Sequence, residues 1–368
     1  MPSSSFLTSK LNGTTFLIQE HDAFGERPFI YVKLPPGAPV IILSDTGCDE
    51  PDSAHKHAKY TQLRDYIENC PLKINDRKPL NPESKLRYII VCTHCHYDHI
   101  GGMTQFLQGG TTEIVASAAG RDFIETDLDE HSLFKYICKP VPFYYVTKWA
   151  QAFEKLYFEP EKHSTYSKES HDVDGKEEVD LGITFVQQPG HTPDSLAWYD
   201  HDEMWLYVGD TLYEAGVEDS PGASIVLPPQ GNLIEWVASM RKLLVLVRSE
   251  NAKAERRAES AELGMEVSDW EIVPRRVKLA AGHVTSAADA EEILKKTDQF
   301  FYQILQKKIP VISKEYHWND AYFTWWQKGW NMSLRAPPRL VDQARDFFDI
   351  HGPEAEDERR HSTAGLFS

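Results

Sequence analysis

The order of apolar segments predicts a mixed α/β fold with helices covering the outer sides of its sheets. Three observations predict it. Short apolar and β-branched runs recur between turn residues, segments with helical spacing alternate with them, and the overall order is strands, helices, strands, helices. Residues 14–19, 29–34 and 40–44 read as strands, with Pro35-Pro36-Gly37 as a turn and Asp45-Thr46-Gly47 closing the run. A helix is expected over 54–69, where Tyr60, Leu63 and Ile67 share a face. A buried strand over 87–92 leads into a histidine cluster, followed by helix 99–107, strand 113–117 and helix 118–126.

Residues 128–180 interrupt this rhythm. They are rich in aromatics from Phe134 to Phe158 and polar over 161–178, and read as an insertion with a polar tip. Strands resume over 183–188, 196–199 and 204–208, and a long helix follows over 233–261, its second half charged all round like a solvated face. Strand 277–281 and helix 287–305 close a catalytic domain spanning 1–308. Residues 309–368 form an extension with a dense aromatic block and a polar tail.

With 41% hydrophobic residues the chain has enough apolar surface for a sizeable core, which excludes global disorder. A formal net charge of −17 speaks against a nucleic-acid partner, which calls for a basic face. No apolar run is long enough to span a bilayer, and the first residues lack a secretory pattern. Cys48, Cys70, Cys92, Cys95 and Cys138 are scattered and odd in number, as expected of free thiols in the cytoplasm.

The strongest chemical signal is His94-Cys95-His96-Tyr97-Asp98-His99. Strand alternation puts His94 and His96 on one side, where two imidazoles can reach one cation, and Cys95 on the other, where it packs. Asp98 and His99 lie where the chain turns into a helix, placed to address a second cation, and Gly101-Gly102 allows backbone to pack close. Further donors follow strands downstream: His191 in Gln188-Pro189-Gly190-His191-Thr192-Pro193, Asp210 after Gly209, and His283 after Gly282. Strand ends are where open α/β architectures build their sites.

This pattern resembles the metallo-β-lactamase superfamily, especially its two-metal hydrolases: glyoxalase II, the lactonases and related thioesterases. The likeness covers about residues 14–305. It implies a four-layer αββα sandwich. It also implies that His94, His96 and His191 hold one metal, that Asp98, His99 and His283 hold another, and that Asp210 bridges them. Asp45 matches the family's early supporting aspartate. True β-lactamases of this fold typically lack one or more of these donors. Diiron oxygen reductases place Glu where this chain has His96. Ribonuclease Z shares the donors, but the acidic charge suits it poorly. Persulfide dioxygenases use the motif with one iron and stand as the alternative. A non-catalytic binding protein is a poorer reading, because the whole donor set is present.

The function expected is therefore hydrolysis of an acyl bond (lactone, ester, lactam or thioester) in a small molecule, by a hydroxide shared between two divalent metals. Zinc heads the candidates, and the N/O donors also suit iron and manganese. Asp98 is placed to carry the proton to the leaving group. Tyr213, three residues after Asp210, resembles the lactonase tyrosine that hydrogen-bonds the substrate carbonyl. The block from Tyr316 to Trp326 is expected to cover the site or to join copies of the chain in a homo-oligomer.

Overall fold

The computed structural model of the chain describes residues 3–108, 112–159, 178–214, 220–263 and 274–350. Most of the polar stretch at 161–178, and the tail from 351, lie outside the described residues.

Two sheets face each other. The first has seven strands in chain order: β1 (Phe6–Lys10), β2 (Thr15–Glu20), β3 (Phe29–Lys33), β4 (Val40–Ser44), β5 (Arg87–Val91), β6 (Glu113–Ser117) and β7 (Lys148–Ala150). Pairing is antiparallel through β4 and parallel from β4 to β7. The second sheet uses β8 (Lys155–Phe158), β9 (Val179–Gln187), β10 (Leu196–Asp200), β11 (Trp205–Tyr207), β13 (Lys278–Ala280) and β14 (Ala288–Asp289), in the order β14-β13-β11-β10-β9-β8. A smaller sheet joins β12 (Ile225–Val226) to β17 (Leu334–Ala336), β16 (Asp320–Trp325) and β15 (Val311–His317).

The central core lies between the two large sheets, where Val40, Ile42, Val91 and Val115 meet Ile183, Phe185, Trp198 and Tyr207. β4 is buried at every position, as a strand covered on both faces must be. A buried ion pair, Lys33 Nζ to Asp200 Oδ2 at 2.6 Å, ties the sheets together. The helices α1 (Leu63–Asn69), α2 (Tyr97–Ile100), α3 (Arg121–Thr126) and α4 (Leu128–His131) lie on the first half. On the second half, α5 (Leu233–Leu263), α6 (Ala290–Leu305) and α7 (Pro338–Phe347) supply buried residues such as Trp236, Phe301 and Val341 to one cluster. The layers are helix, sheet, sheet, helix.

Several local expectations are corrected. The helix expected from 54 begins only at Leu63, because Asp52 Oδ1 accepts the N–H groups of Ala54 and His55 in a local turn that competes with helix. The helix expected over 99–107 is α2 followed by a 3-10 segment, Gly101–Phe106. His94 and His96 are not on a strand, since β5 ends at Val91 and the chain is a loop through His96. The stretch 128–180 is not simply an insertion. It supplies β7 and β8, the edge strands of both large sheets, whose three and four residues are too short to give a periodic signal. Residues beyond 308 do not stand apart, because β17 pairs in parallel with β12 and Trp325, Met332, Leu334 and Val341 are buried in the α5–α6 cluster.

Candidate metal centre

Parallel strands ending side by side deliver the polar residues to one edge of the sandwich. Asp45 follows β4, the His94–His99 loop follows β5, His191 lies between β9 and β10, Asp210 follows β11 and His283 follows β13. All seven expected donors are buried and gather in two adjoining groups, with the His94 and His99 rings 4.0 Å apart between centroids. In the first group His96 Nδ1 lies 2.9 Å from His94 Nε2 and 3.1 Å from His191 Nε2. In the second, His99 Nε2 lies 3.3 Å from Asp98 Oδ2 and 3.5 Å from Asp210 Oδ1. His283 Nε2 lies 3.1 Å from Asp98 Oδ2 and 3.4 Å from Asp210 Oδ2.

The outward-facing ring nitrogens decide what the inward ones can do. His191 Nδ1 donates to Val226 O at 2.7 Å and His283 Nδ1 to Glu26 O at 2.9 Å, and carbonyls only accept. In the neutral ring that a metal requires, both Nε2 atoms therefore turn a lone pair to the group. Asp45 Oδ2 accepts from His99 Nδ1 at 2.9 Å and from the Thr93 hydroxyl at 2.8 Å, while its Oδ1 takes the Thr93 N–H at 2.7 Å. Thr93 Oγ1, its proton spent on Asp45, accepts from His94 Nδ1 at 3.2 Å. Asp45 thus orients a ring in each group while coordinating nothing, and holds a left-handed φ of 65° to do so.

These donors fit metal ions. One proton on His96 Nδ1 can serve only one of its two neighbours well, whereas a cation among the three nitrogens serves all of them, and ligands about 2.0–2.1 Å from a zinc ion stand roughly this far apart. His99 Nε2 and Asp210 Oδ1 are buried and have no hydrogen-bond partner. Burial opposes charge on His99 and His283, yet Asp98 and Asp210 hold both imidazoles well above the ordinary histidine range. Burial likewise opposes charge on the two carboxylates, and His99 and His283 hold both well below their usual range. Burial, with the neighbouring imidazoles, pushes His94 and His96 well below theirs. The second group holds both carboxylates and the first only neutral imidazoles, a division suited to two divalent cations side by side. Glycine keeps the space open: a Cβ on Gly282 would lie 2.3 Å from Asp210 Oδ1, and one on Gly101 would lie 2.4 Å from Cys48 O. A third group, His21, Asp52 and His55, fits one ion poorly, because the two rings stack at 17° and their in-plane lone pairs do not converge.

His96 and His191 of the first group and Asp98, Asp210 and His283 of the second form the floor of a cavity of about 440 Å³. Tyr213 lines it, with its ring 5.9 Å from that of His283, while Cys95 is fully buried away from it. Burial, then Asp210 and Asp98, pushes the Tyr213 phenol well above its ordinary range, so it keeps its proton. At the rim, His317 and Trp318 come from the aromatic block expected to cover the site or an interface, whereas Glu26 and Arg27 from the β2–β3 loop, and Arg335, were missed by sequence reasoning. The aromatic density near Trp318 was a signal for part of it; nothing local marks Glu26 or Arg27.

A family profile described as the metallo-beta-lactamase superfamily matches residues 41–261, and the chain belongs to that superfamily as a metallo-hydrolase. Among curated relatives, a protein of Aspergillus versicolor named "Putative transcription factor avaE" is 30% identical over 312 residues, covering 85% of this chain and 80% of that protein. The human acyl-coenzyme A thioesterase MBLAC2 is 27% identical over 190 residues, 50% of this chain and 60% of that protein. Among solved structures, an archaeal metallo-beta-lactamase superfamily protein from Sulfolobus tokodaii aligns at 15% identity and a TM-score of 0.47, covering 82% of this chain and 91% of that one. Among the described residues no helix is long and apolar enough to cross a membrane.

Proposed function

We propose that the protein hydrolyses an acyl bond of a small molecule, a thioester foremost, at a pair of zinc ions. The observation that carries this reading is the convergence of His94, His96 and His191 beside Asp98, His99, Asp210 and His283 on the floor of one cavity. The first three would hold one ion and the other four the second, with Asp210 between them. Such a pair supplies an acidified water and a Lewis acid for the carbonyl oxygen. The protein's own groups do the rest. Asp98, an ionised carboxylate at the floor, accepts a proton there and passes it to the leaving group. The Tyr213 phenol donates to the oxygen that gains charge as the carbonyl is attacked. The burial that raises its pKa also excludes water from that hydrogen bond.

The likeness to an acyl-coenzyme A thioesterase supports a thioester over a lactone, ester or lactam. Persulfide oxygenation needs one iron, and the complete four-donor second group speaks for two ions. The name of the Aspergillus relative suggests nucleic acid as a partner, but the functional groups line a cavity of small-molecule size and the chain carries a net charge of −17. Five unpaired cysteines suit a reducing compartment. The test is metal analysis followed by a panel of thioesters, lactones, esters and anilides, with oxygen uptake on a persulfide as the competing assay. Two metals per chain and thioester turnover are expected. One iron with oxygen consumption, or no hydrolysis of any member at full metal loading, would sink the reading.

A further inference from the structure

The cavity rim is built differently from its floor. β15 and β16 form a hairpin whose register pairs His317 with Asp320, leaving Trp318 and Asn319 as a two-residue turn. Both have positive φ, 46° and 59°. That is the hairpin turn normally filled by Asn-Gly, and a bulky residue in its first position is strained. Strain of this kind persists where the placement of the side chain repays it. Here it delivers an indole to the cavity mouth. Trp318 is half-buried, backed by Tyr136 at 6.3 Å and Tyr322 at 5.7 Å between ring centroids, and it lines the cavity.

Arginines flank it. The Arg335 guanidinium lies 5.4 Å from the Tyr322 ring centroid and 3.1 Å from Glu315, while its Nε is buried with no hydrogen-bond partner. Arg27 is exposed, and its side chain makes no hydrogen bond or ion pair among the described residues. The carboxylate nearest to it in sequence, Glu26, is occupied by the Tyr97 hydroxyl. Two guanidinium groups, Arg27 without an ion pair among the described residues and Arg335 shared with Glu315, thus stand on the cavity lining, where an anionic group of a substrate can meet them.

We infer that the rim is a recognition subsite for a planar aromatic group bearing an anionic substituent. The ring stacks on Trp318 and the anion pairs with Arg335, with Arg27 drawing it in. The inference rests on the hydrolase reading in that this group is the part of the acyl substrate remote from the scissile bond. Binding without turnover tests it separately. The probes are 2-naphthalenesulfonate, cyclohexanesulfonate and neutral 2-naphthamide, titrated calorimetrically into the metal-loaded protein. The naphthalene sulfonate should bind about 10-fold tighter than the cyclohexyl one. Trp318→Leu should erase that difference and Trp318→Tyr should restore most of it, at unchanged metal content and melting temperature. Arg335→Gln should weaken the sulfonate about 10-fold and leave the amide within 2-fold. Equal binding of the two sulfonates, equal losses in the Leu and Tyr variants, or equal losses of sulfonate and amide in Arg335→Gln would overturn the inference. Tight, Trp318-dependent binding without hydrolysis of any member of the acyl panel would leave the subsite standing and remove the acyl-hydrolysis reading.

Discussion

The floor and the rim of the cavity are made by different means. Every floor donor follows a core strand or sits in the loop beyond one, is buried, and belongs to a hydrogen-bonded or charge-paired group. The rim comes from loops and from a hairpin inserted between α6 and α7, with aromatic stacking around a strained two-residue turn in place of a buried network. The difference teaches that the reaction is set by the sandwich, and the choice of substrate by what is folded over its open edge.

The sharpest way to break this division is Asp210→Ala. It removes the carboxylate beside His99 and His283, so metal content should fall from two to one or fewer and turnover by about 10³-fold or more. Full metal content with normal turnover would mean that the floor is not the reaction centre. Truncation after Lys308 comes next. The rim is anchored through Trp325, Met332, Leu334 and Val341, all buried against α5 and α6, so this deletion should give insoluble or molten protein on expression and circular dichroism. A soluble, fully active truncated enzyme would show that the rim is dispensable.

Tyr213→Phe sharpens the floor itself. It removes one donor and keeps the ring, and it should lower kcat about 10-fold with KM little changed, at matched metal content. Equal kinetics would make Tyr213 a packing residue. The smallest effect concerns the support under the floor. Glu20 is 1% exposed, and its Oε2 accepts the Cys48 N–H at 2.6 Å beneath the Asp45–Cys48 turn. Burial raises its pKa to about 8, from an ordinary 4.5, despite that hydrogen bond. Between those values the folded chain holds a proton that the unfolded chain has lost, so this group's contribution to stability falls as pH rises through the window and levels off above about 8. Glu20→Gln should flatten that part of the melting-temperature profile by a few degrees. A profile parallel to the wild type between pH 5 and pH 8 would show that Glu20 ionises normally.

Much of the floor was legible from residue order alone. Strands that end in His94-Cys95-His96-Tyr97-Asp98-His99, His191, Asp210 and His283 declare a metal chemistry, because few other demands put so many donors at strand ends. Periodicity also placed the long helices, since burying one face over many turns imposes a repeat on the sequence. The tertiary structure decided the rest. It showed that His94 and His96 converge from a loop, and that Asp45 reaches a ring in each group through its own carboxylate and Thr93. It made β7 and β8, in a stretch read as an insertion, the edges of the two main sheets, because short edge strands are defined by pairing rather than by local pattern. It brought Trp318 and Arg335 over residues more than a hundred positions earlier. Local sequence fixes what each residue can do. Which residues meet is set by burial and pairing across the whole chain, and the rim exists only through those long-range contacts.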